Sequence, residues 1–416
     1  MLYVKSFATR NSVHGIKYNK MNTLTSNINT FDRILLAVKP ITTLEKCLGI
    51  FRFRLNGESC EPAKRRMRFI GFLIYLIIAI LYLTQTITYV TEGNIATKAA
   101  DILPCVIIFL QYTITIVIQL FVDDYDFINL FTLLENIDCS LHVNIDDNLY
   151  KNSRVQVIKI LNFLGISYVA MIIFNIFNEM EIKIEYYISL FIYFESELEI
   201  AYFYVLIGML RKRVVIINRY LSKFTSQRLY NKTFKRDKTN TIFVIENCVN
   251  YIGRASAGNM KIRDLTETYC QIGEACRFIN KIFNLVILTT FISTFLFIIT
   301  TFWTSLYYFK SNKTFRYLLK IVVWSCSQVV AMIMLSINCE KLLQEKEKTK
   351  FLVNKLVMDY ELPKAMRMQA KVFMETLNIW PLRVFIYDMF SADVLSIFKV
   401  ISLCASYLIV VIQVTQ

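Results

Sequence analysis

Residues 282–309 read IFNLVILTTFISTFLFIITTFWTSLYYF and form the longest uncharged stretch of the chain. The stretch holds no proline or glycine, and it exceeds the roughly 20 apolar residues that a helix needs to cross a bilayer. A segment in lipid must satisfy its own backbone hydrogen bonds, so this stretch predicts a membrane-spanning helix. A β-barrel would instead need many shorter segments of alternating hydrophobicity.

Six further stretches pass the same length test, and together the seven predict an all-α membrane protein with seven transmembrane helices. The stretches are 69–90, 102–122 and 160–178 without charge, 186–210 with Glu195, Glu197 and Glu199, 317–339 with Lys320, and 394–414 with Lys399. The composition agrees, since 55% of residues are hydrophobic and 19% are charged, against about 25% charged in globular domains.

The basic residues predict which way the chain crosses the membrane. Of the 47 Lys and Arg residues, 40 lie before span 1 and in the connections after spans 2, 4 and 6, and 5 lie in the other connections. The positive-inside rule then predicts a cytoplasmic N-terminus and an extracellular C-terminus. The net charge of +15 follows this topology, which argues against nucleic acid as a partner.

This topology predicts six parts. They are a cytoplasmic N-terminal segment 1–68, helices 1–4 in 69–210, a cytoplasmic loop with helical extension 211–281, helices 5–6 in 282–339, a cytoplasmic helical anchor 340–393, and helix 7 in 394–416. Within the cytoplasmic parts, 242–281 and 340–380 carry residues at helical spacing. We expect them to extend the spans and to pack as a helical bundle.

Sequence signs of enzyme chemistry are missing. The chain holds no phosphate-binding glycine loop, no nucleophile elbow, no zinc-protease motif and no paired Cys-x-x-Cys. Cys139 and His142 form one Cys-x-x-His pair, and no second pair follows. The sequence thus predicts no catalytic site, no metal site and no cofactor.

The end of the chain carries the most specific motif. Residues 406–414 read Ser-Tyr-Leu-Ile-Val-Val-Ile-Gln-Val. They resemble the signature of insect gustatory receptors, which is Thr-Tyr, five apolar residues and Gln-Phe in the last span. Tyr407, the five apolar residues and Gln413 match, Ser406 replaces threonine conservatively, and Val414 departs from phenylalanine.

Residues 381–393 also resemble that family's lead-in to its last helix. The resemblance implies a ligand-gated cation channel of the plasma membrane, assembled as a homotetramer or as a heterotetramer with related receptors. A small-molecule tastant would bind in the outer half of each subunit, among spans 2 to 6, and the last helix would line the pore. An insect odorant receptor channel and a secondary transporter are the alternatives, and a G-protein-coupled receptor is a more distant one.

Helical spacing selects the gate candidates on the last span. Ser406, Val410 and Gln413 share one stripe, Val414 lies at its edge, and Tyr407 lies more than about 100° from Gln413. Val410 and Gln413 would form an apolar constriction beside a polar ring, which can gate by dewetting. Tyr407 is expected to face a neighbouring helix.

Ionisable and aromatic residues within the spans predict the ligand site, because charges inside a membrane are costly and often functional. The candidates are Glu195, Glu199 and Tyr202 on one face of span 4, Trp303 on span 5, Trp324 and Gln328 on span 6, and Gln111 and Thr115 on span 2. Glu197 points away from the other two carboxylates and is the weaker candidate. Hydrogen bonds between helices, a water-filled vestibule and an interfacial aromatic belt remain alternative interpretations of these residues.

Overall fold

The computed structural model describes residues 30–56, 59–91, 106–117, 125–142, 147–179, 184–236, 257–311 and 315–415. The described part is mostly helical. Its helices are α1 (Thr30–Cys47), α2 (Arg65–Thr91), α3 (Val106–Val117), α4 (Tyr125–Ser140), α5 (Asp147–Glu179), α6 (Ile184–Arg236), α7 (Ala257–Ser311), α8 (Phe315–Val357), α9 (Lys364–Ile379) and α10 (Val394–Thr415). Two antiparallel hairpins complete it, β1 (Phe53–Asn56) with β2 (Ser59–Pro62) and β3 (Phe385–Ile386) with β4 (Phe390–Ser391).

Within the described residues each predicted span falls on a helix, span 102–122 being described at 106–117, and several helices run well beyond their spans. α6, α7 and α8 are 53, 55 and 43 residues long, which agrees with the expected helical extensions. The predicted helix 340–380 is interrupted after Val357, and α9 begins after Pro363. Proline lacks a backbone donor and disfavours helix in the residue before it, which explains the break. Residues 242–256 lie outside the described residues.

The N-terminal segment is more integrated than the sequence predicts. Its helix α1 packs against α4, α5 and α6. α1 ends at Cys47, and Gly49, whose φ is 86°, permits a Schellman cap in which Ile50 N–H donates to Glu45 O at 2.9 Å. The turn lies against α2, where a Cβ on Gly71 would come within 2.3 Å of the Gly49 carbonyl oxygen. Part of the predicted cytoplasmic segment therefore belongs to the bundle.

The connection predicted between spans 2 and 3 also contains structure. α4 occupies residues 125–140 of it and buries Phe127, Leu130, Phe131 and Leu134 against α1 and α7. α5 begins at Asp147, well before the predicted start at 160. We call the region where α1, α4 and α9 pack against the long helices the base of the bundle.

By length and composition alone, four of the helices in the described ranges can cross a membrane, namely α2, α5, α7 and α8. The described apolar runs of α3 and α10 are shorter, and α6 carries three carboxylates within its apolar stretch. These three helices are the ones on which the seven-helix count depends.

The core of the described region is centred on α6. From Glu195 to Leu210 every α6 residue except Tyr204 is buried. A second, aromatic-rich cluster surrounds Tyr112, Tyr193 and Trp324. Large apolar side chains are exposed along α2, α5 and α10, as expected of helices that face lipid or another subunit.

Candidate functional site

The α6 carboxylates predicted as ligand contacts lie in a buried cluster of charges. The Arg52 guanidinium, which follows α1, donates to Glu199 Oε1 and to Glu45 Oε1, the second at 3.1 Å. All three side chains are nearly inaccessible to solvent. We call Glu45, Arg52, Glu195 and Glu199 the Arg52 cluster. It connects the N-terminal segment to the middle of α6.

Aromatic rings enclose the guanidinium of Arg52. Its Cζ lies 5.0 Å from the ring centroid of Phe127, 5.7 Å from that of Tyr202 and 6.0 Å from that of Phe283. A cation over an aromatic face gains electrostatic stabilisation, more so where water is excluded. Tyr202, a predicted ligand contact, is therefore packed around Arg52 in this structure.

The Arg52 cluster has more acids than bases. Glu195 is fully buried, and neither of its carboxylate oxygens has a hydrogen-bond partner among the described residues. Burial raises the pKa of Glu45 to about 8, although the Arg52 charge opposes that rise. One guanidinium cannot neutralise three carboxylates, and the nearby Glu199 charge adds to the rise in the pKa of Glu45.

The predicted residues of α3 and α8 meet through α7. Gln111 Nε2 donates to Thr290 Oγ1 at 3.4 Å, and Ser293 Oγ donates to Gln328 Oε1 at 3.2 Å. Ser293 also donates to the Thr290 carbonyl oxygen at 3.2 Å, which completes a polar path across three helices. Thr115 is buried and donates to the carbonyl oxygen of Gln111 within its own helix.

Trp324 lies beside that path, in the aromatic cluster. Its ring centroid is 3.8 Å from that of Tyr193, which in turn lies 5.8 Å from the ring of Phe297. Tyr193 was not among the sequence candidates. Trp303 is 37% exposed and lies apart from this cluster on α7, as an aromatic-belt residue would.

Glu197 occupies a different surface from Glu195 and Glu199. Its Oε1 accepts a hydrogen bond from Ser327 Oγ, at one end of a cavity of about 230 Å³ between α5, α6 and α8. We call this cavity the α5–α6–α8 groove; its walls include Gln156, Lys159, Phe163, Glu197, Ala201 and Val330. Sequence spacing gave Glu197 the lowest rank of the three carboxylates, and it did not select Lys159 or Gln156.

The last helix presents the predicted gate residues on an open face. Tyr407 contacts a neighbouring helix, as expected, with its ring centroid 5.6 Å from that of Phe295 on α7. Ser406, Val410 and Gln413 are exposed, and Ser406 Oγ donates to the carbonyl oxygen of Ser402 at 3.1 Å. The side chain of Val414 lies outside the described residues.

Asp393 anchors the start of α10. Its Oδ1 accepts the Ser396 backbone N–H at 3.1 Å, and its Oδ2 accepts the Ser391 hydroxyl at 2.6 Å. Although partial burial raises the pKa of Asp393, these hydrogen bonds hold it below its usual range. The carboxylate is a helix N-cap, which orients α10 on the β3–β4 hairpin.

The sequence did not identify Arg52, the positively charged member of the Arg52 cluster. Three carboxylates in one span require a counter-charge, and that requirement was available from the sequence. Nothing in the sequence indicated that Arg52, in a predicted cytoplasmic segment, would supply it. Within the described residues no three His, Cys, Asp or Glu side chains are grouped to hold a metal ion.

The comparisons with known proteins agree with this architecture. Residues 38–416 match the family described as 7tm chemosensory receptor. None of the curated proteins compared with the chain matches it.

Among solved structures, the insect olfactory receptor OR5 from Machilis hrabei has a similar fold, with a TM-score of 0.64 and 11% identity. The match covers 92% of this chain and 99% of that one. The same receptor in complex with eugenol matches with a TM-score of 0.59, at the same identity and coverage. The fold and the family match together establish a multi-pass membrane protein of receptor type that belongs to the 7tm chemosensory receptor family.

Proposed function

We propose that the chain is a gustatory-type receptor, a ligand-gated cation channel of the plasma membrane that a small tastant opens. The subunits assemble as a homotetramer or as a heterotetramer with related receptors. Each contributes α10 to a central pore. The N-terminus is cytoplasmic and the C-terminus extracellular.

The observation that carries the proposal is the open face of α10. This helix packs against α7 and α8 on one side. On the rest of its surface it exposes large apolar side chains, among them Phe398, Ile401, Ile409 and Val410. A helix exposed on most sides at the edge of a single chain is suited to line an axis shared with other subunits.

The ligand site that we propose is the aromatic cluster around Tyr193 and Trp324, with the polar path from Gln111 to Gln328. Aromatic rings beside a few convergent polar groups are typical of the lining of small-molecule sites. The eugenol complex of the insect olfactory receptor supports a small-molecule ligand in this fold. Binding opens the pore if the ligand prefers the open state.

The topology is tested with epitope tags at either end of the chain. A tag after Gln416 should bind antibody on intact cells, and a tag before Met1 should bind it only after permeabilisation. If the C-terminal tag needs permeabilisation at normal surface expression, the inverted topology and the gustatory assignment fail together. The N-terminal tag on the same chain is the control for leaky cells.

The odorant-receptor alternative is favoured by the fold of its structural relative. Recordings from cells that express this chain alone, or together with a related receptor subunit as co-receptor, separate the two types. Cation currents from the chain alone, evoked by water-soluble tastants, support the gustatory type. Responses only to volatile compounds and only with a co-receptor support the odorant type, and a saturating flux without unitary currents indicates a transporter.

A further inference from the structure

We propose that the α5–α6–α8 groove binds one acyl chain of an anionic phospholipid, whose headgroup is held by Lys159 and Lys212. This site goes beyond channel function and does not depend on it. It requires only that the chain lies in a bilayer.

The helices α5 and α6 run antiparallel along the groove. Lys212 Nζ donates to Ser153 Oγ at 2.9 Å, and farther along the ring of Tyr168 lies 4.9 Å from that of Phe194. The two contacts place Lys212 near the base end of the groove and Glu197 toward its other end. Lys159, on α5, lies between them.

The groove has the dimensions of a lipid acyl chain rather than of a compact ligand. Its α5 wall runs from Gln156 to Leu164, a rise of about 12 Å along a helix. That length approaches the hydrocarbon depth of one leaflet, about 15 Å. The volume of about 230 Å³ lies below the roughly 300–1,000 Å³ of drug-sized sites.

Most of the groove lining is apolar and one side is open. Ile200, Ala201 and Ala331 form part of its floor, while Phe163 and Val330 are exposed at its rim. The exposed faces of α5 and α8 are those that meet lipid in a spanning chain. An acyl chain can therefore enter sideways from the bilayer without leaving a hydrocarbon environment.

The charges at the two ends orient the lipid. Neither Lys159 nor Lys212 has an acidic partner among the residues that the structure describes. Burial, together with the charges of Arg211 and Arg213, lowers the pKa of Lys212, so an anion placed beside it would relieve that repulsion. At the opposite end the Glu197 carboxyl disfavours a phosphate. The headgroup therefore lies at the lysine end, which faces the leaflet that the charge bias predicts to be cytoplasmic.

The test is native mass spectrometry of the full-length protein in detergent, with phosphatidylglycerol, phosphatidylcholine or oleate added. We expect the unmodified chain to retain phosphatidylglycerol in preference to phosphatidylcholine. The Lys159→Gln/Lys212→Gln double variant should weaken phosphatidylglycerol binding about tenfold or more, because each lysine near an anionic lipid contributes to attraction. Lys341→Gln, at an exposed position on α8, is the matched control.

A second variant tests binding of the acyl chain rather than of the headgroup. Ala201→Phe fills the groove from α6 and should displace phosphatidylglycerol with both lysines intact. Equal retention of both phospholipids, or binding unaffected by all of these variants, would overturn the proposal. Retention of oleate without phosphatidylglycerol would overturn the phospholipid assignment. Since the readout is bound lipid, an absent tastant response bears on channel function alone.

Discussion

Helix α6 carries several charged residues and is buried, whereas helix α10 is almost uncharged and is largely exposed. α6 carries Glu195, Glu197 and Glu199 within its apolar stretch, and it is the most enclosed helix of the bundle. α10 has Lys399 as its one charged residue, and it leaves most of its side chains exposed. In a soluble domain the reverse would hold, because water drives apolar surface inward.

The difference teaches where function resides in this fold. In lipid, apolar side chains lose little by facing outward, whereas charges must find partners inside the bundle. α6 can hold carboxylates because Arg52, Ser327 and aromatic rings surround them. α10 needs no such partners, so its outer face is free to meet other subunits.

The largest expected effect comes from breaking the enclosure of α6. Arg52→Ala leaves Glu45 and Glu199 buried without their counter-charge, which typically costs about 3–5 kcal/mol. We expect loss of surface expression and of the folded fraction in detergent, measured by size-exclusion profiles of a fluorescent fusion. Arg54→Ala, two residues along on β1 and half-buried, is the matched control.

A paired variant sharpens this result. Replacing Arg52 by Met together with Glu45 and Glu199 by Gln removes the charges on both sides, and expression should largely return. If Arg52→Ala alone expresses like the unmodified chain, Arg52 is not the counter-charge that the α6 carboxylates require.

A second comparison sets a packed glycine against an open one. A Cβ on Gly273 of α7 would lie 2.6 Å from the Trp380 side chain, which is fixed further by Tyr269 donating to the Trp380 carbonyl oxygen at 3.1 Å. Gly273→Ala should therefore destabilise the base by about 1–3 kcal/mol. Thermal unfolding in detergent measures the change.

Gly165 of α5 provides the control, because a Cβ there meets nothing within 4 Å. Gly165→Ala should leave the melting temperature unchanged or raise it, since alanine favours helix over glycine by about 1 kcal/mol. Equal effects of the two substitutions would mean that the base is no more tightly packed than the outer face of α5.

The smallest expected effect concerns the start of α10. Asp393→Ala removes the N-cap and should cost about 1 kcal/mol, with Asp393→Asn costing less because it keeps an acceptor. The native pKa of Asp393 is lowered, so its ionised form contributes stability above the ordinary Asp pKa of about 4, and that stability is lost as pH falls through the lowered native value. Unfolding is measured from pH 7 to pH 3. The difference in the free energy of unfolding between each variant and the unmodified chain should shrink only at the acid end of this range.

The sequence predicted the helical class, the spans as stretches of helix, and the contact of Tyr407 with a neighbouring helix, because apolar runs and helical spacing are local signals. Membership in a chemosensory receptor family, which residues 406–414 indicated, is confirmed by the match over residues 38–416, and the gustatory type stays a prediction. The seven-span count, the orientation of the termini and the site residues stay predictions.

The contacts that the sequence did not predict depend on long-range packing. Arg52 and Glu199 are 147 residues apart, and no local pattern predicts that pairing. The same holds for Glu197, whose position relative to Ser327 depends on the register between α6 and α8. Helical spacing correctly separated Glu197 from Glu195 and Glu199, yet it could not say which neighbours each face would meet.

The central claim is that the open face of α10 lines a water-filled pore. It is tested most directly by the rate at which a cationic, membrane-impermeant thiol reagent labels cysteines that are introduced one at a time, measured on intact cells. Val410→Cys and Gln413→Cys are compared with Ile173→Cys, which is exposed on α5 near the same predicted end of its span, and with the unmodified chain. We predict faster labelling at 413, and at 410, than at 173. Labelling at 410 and 413 no faster than at 173 would place that face of α10 in lipid and contradict the account.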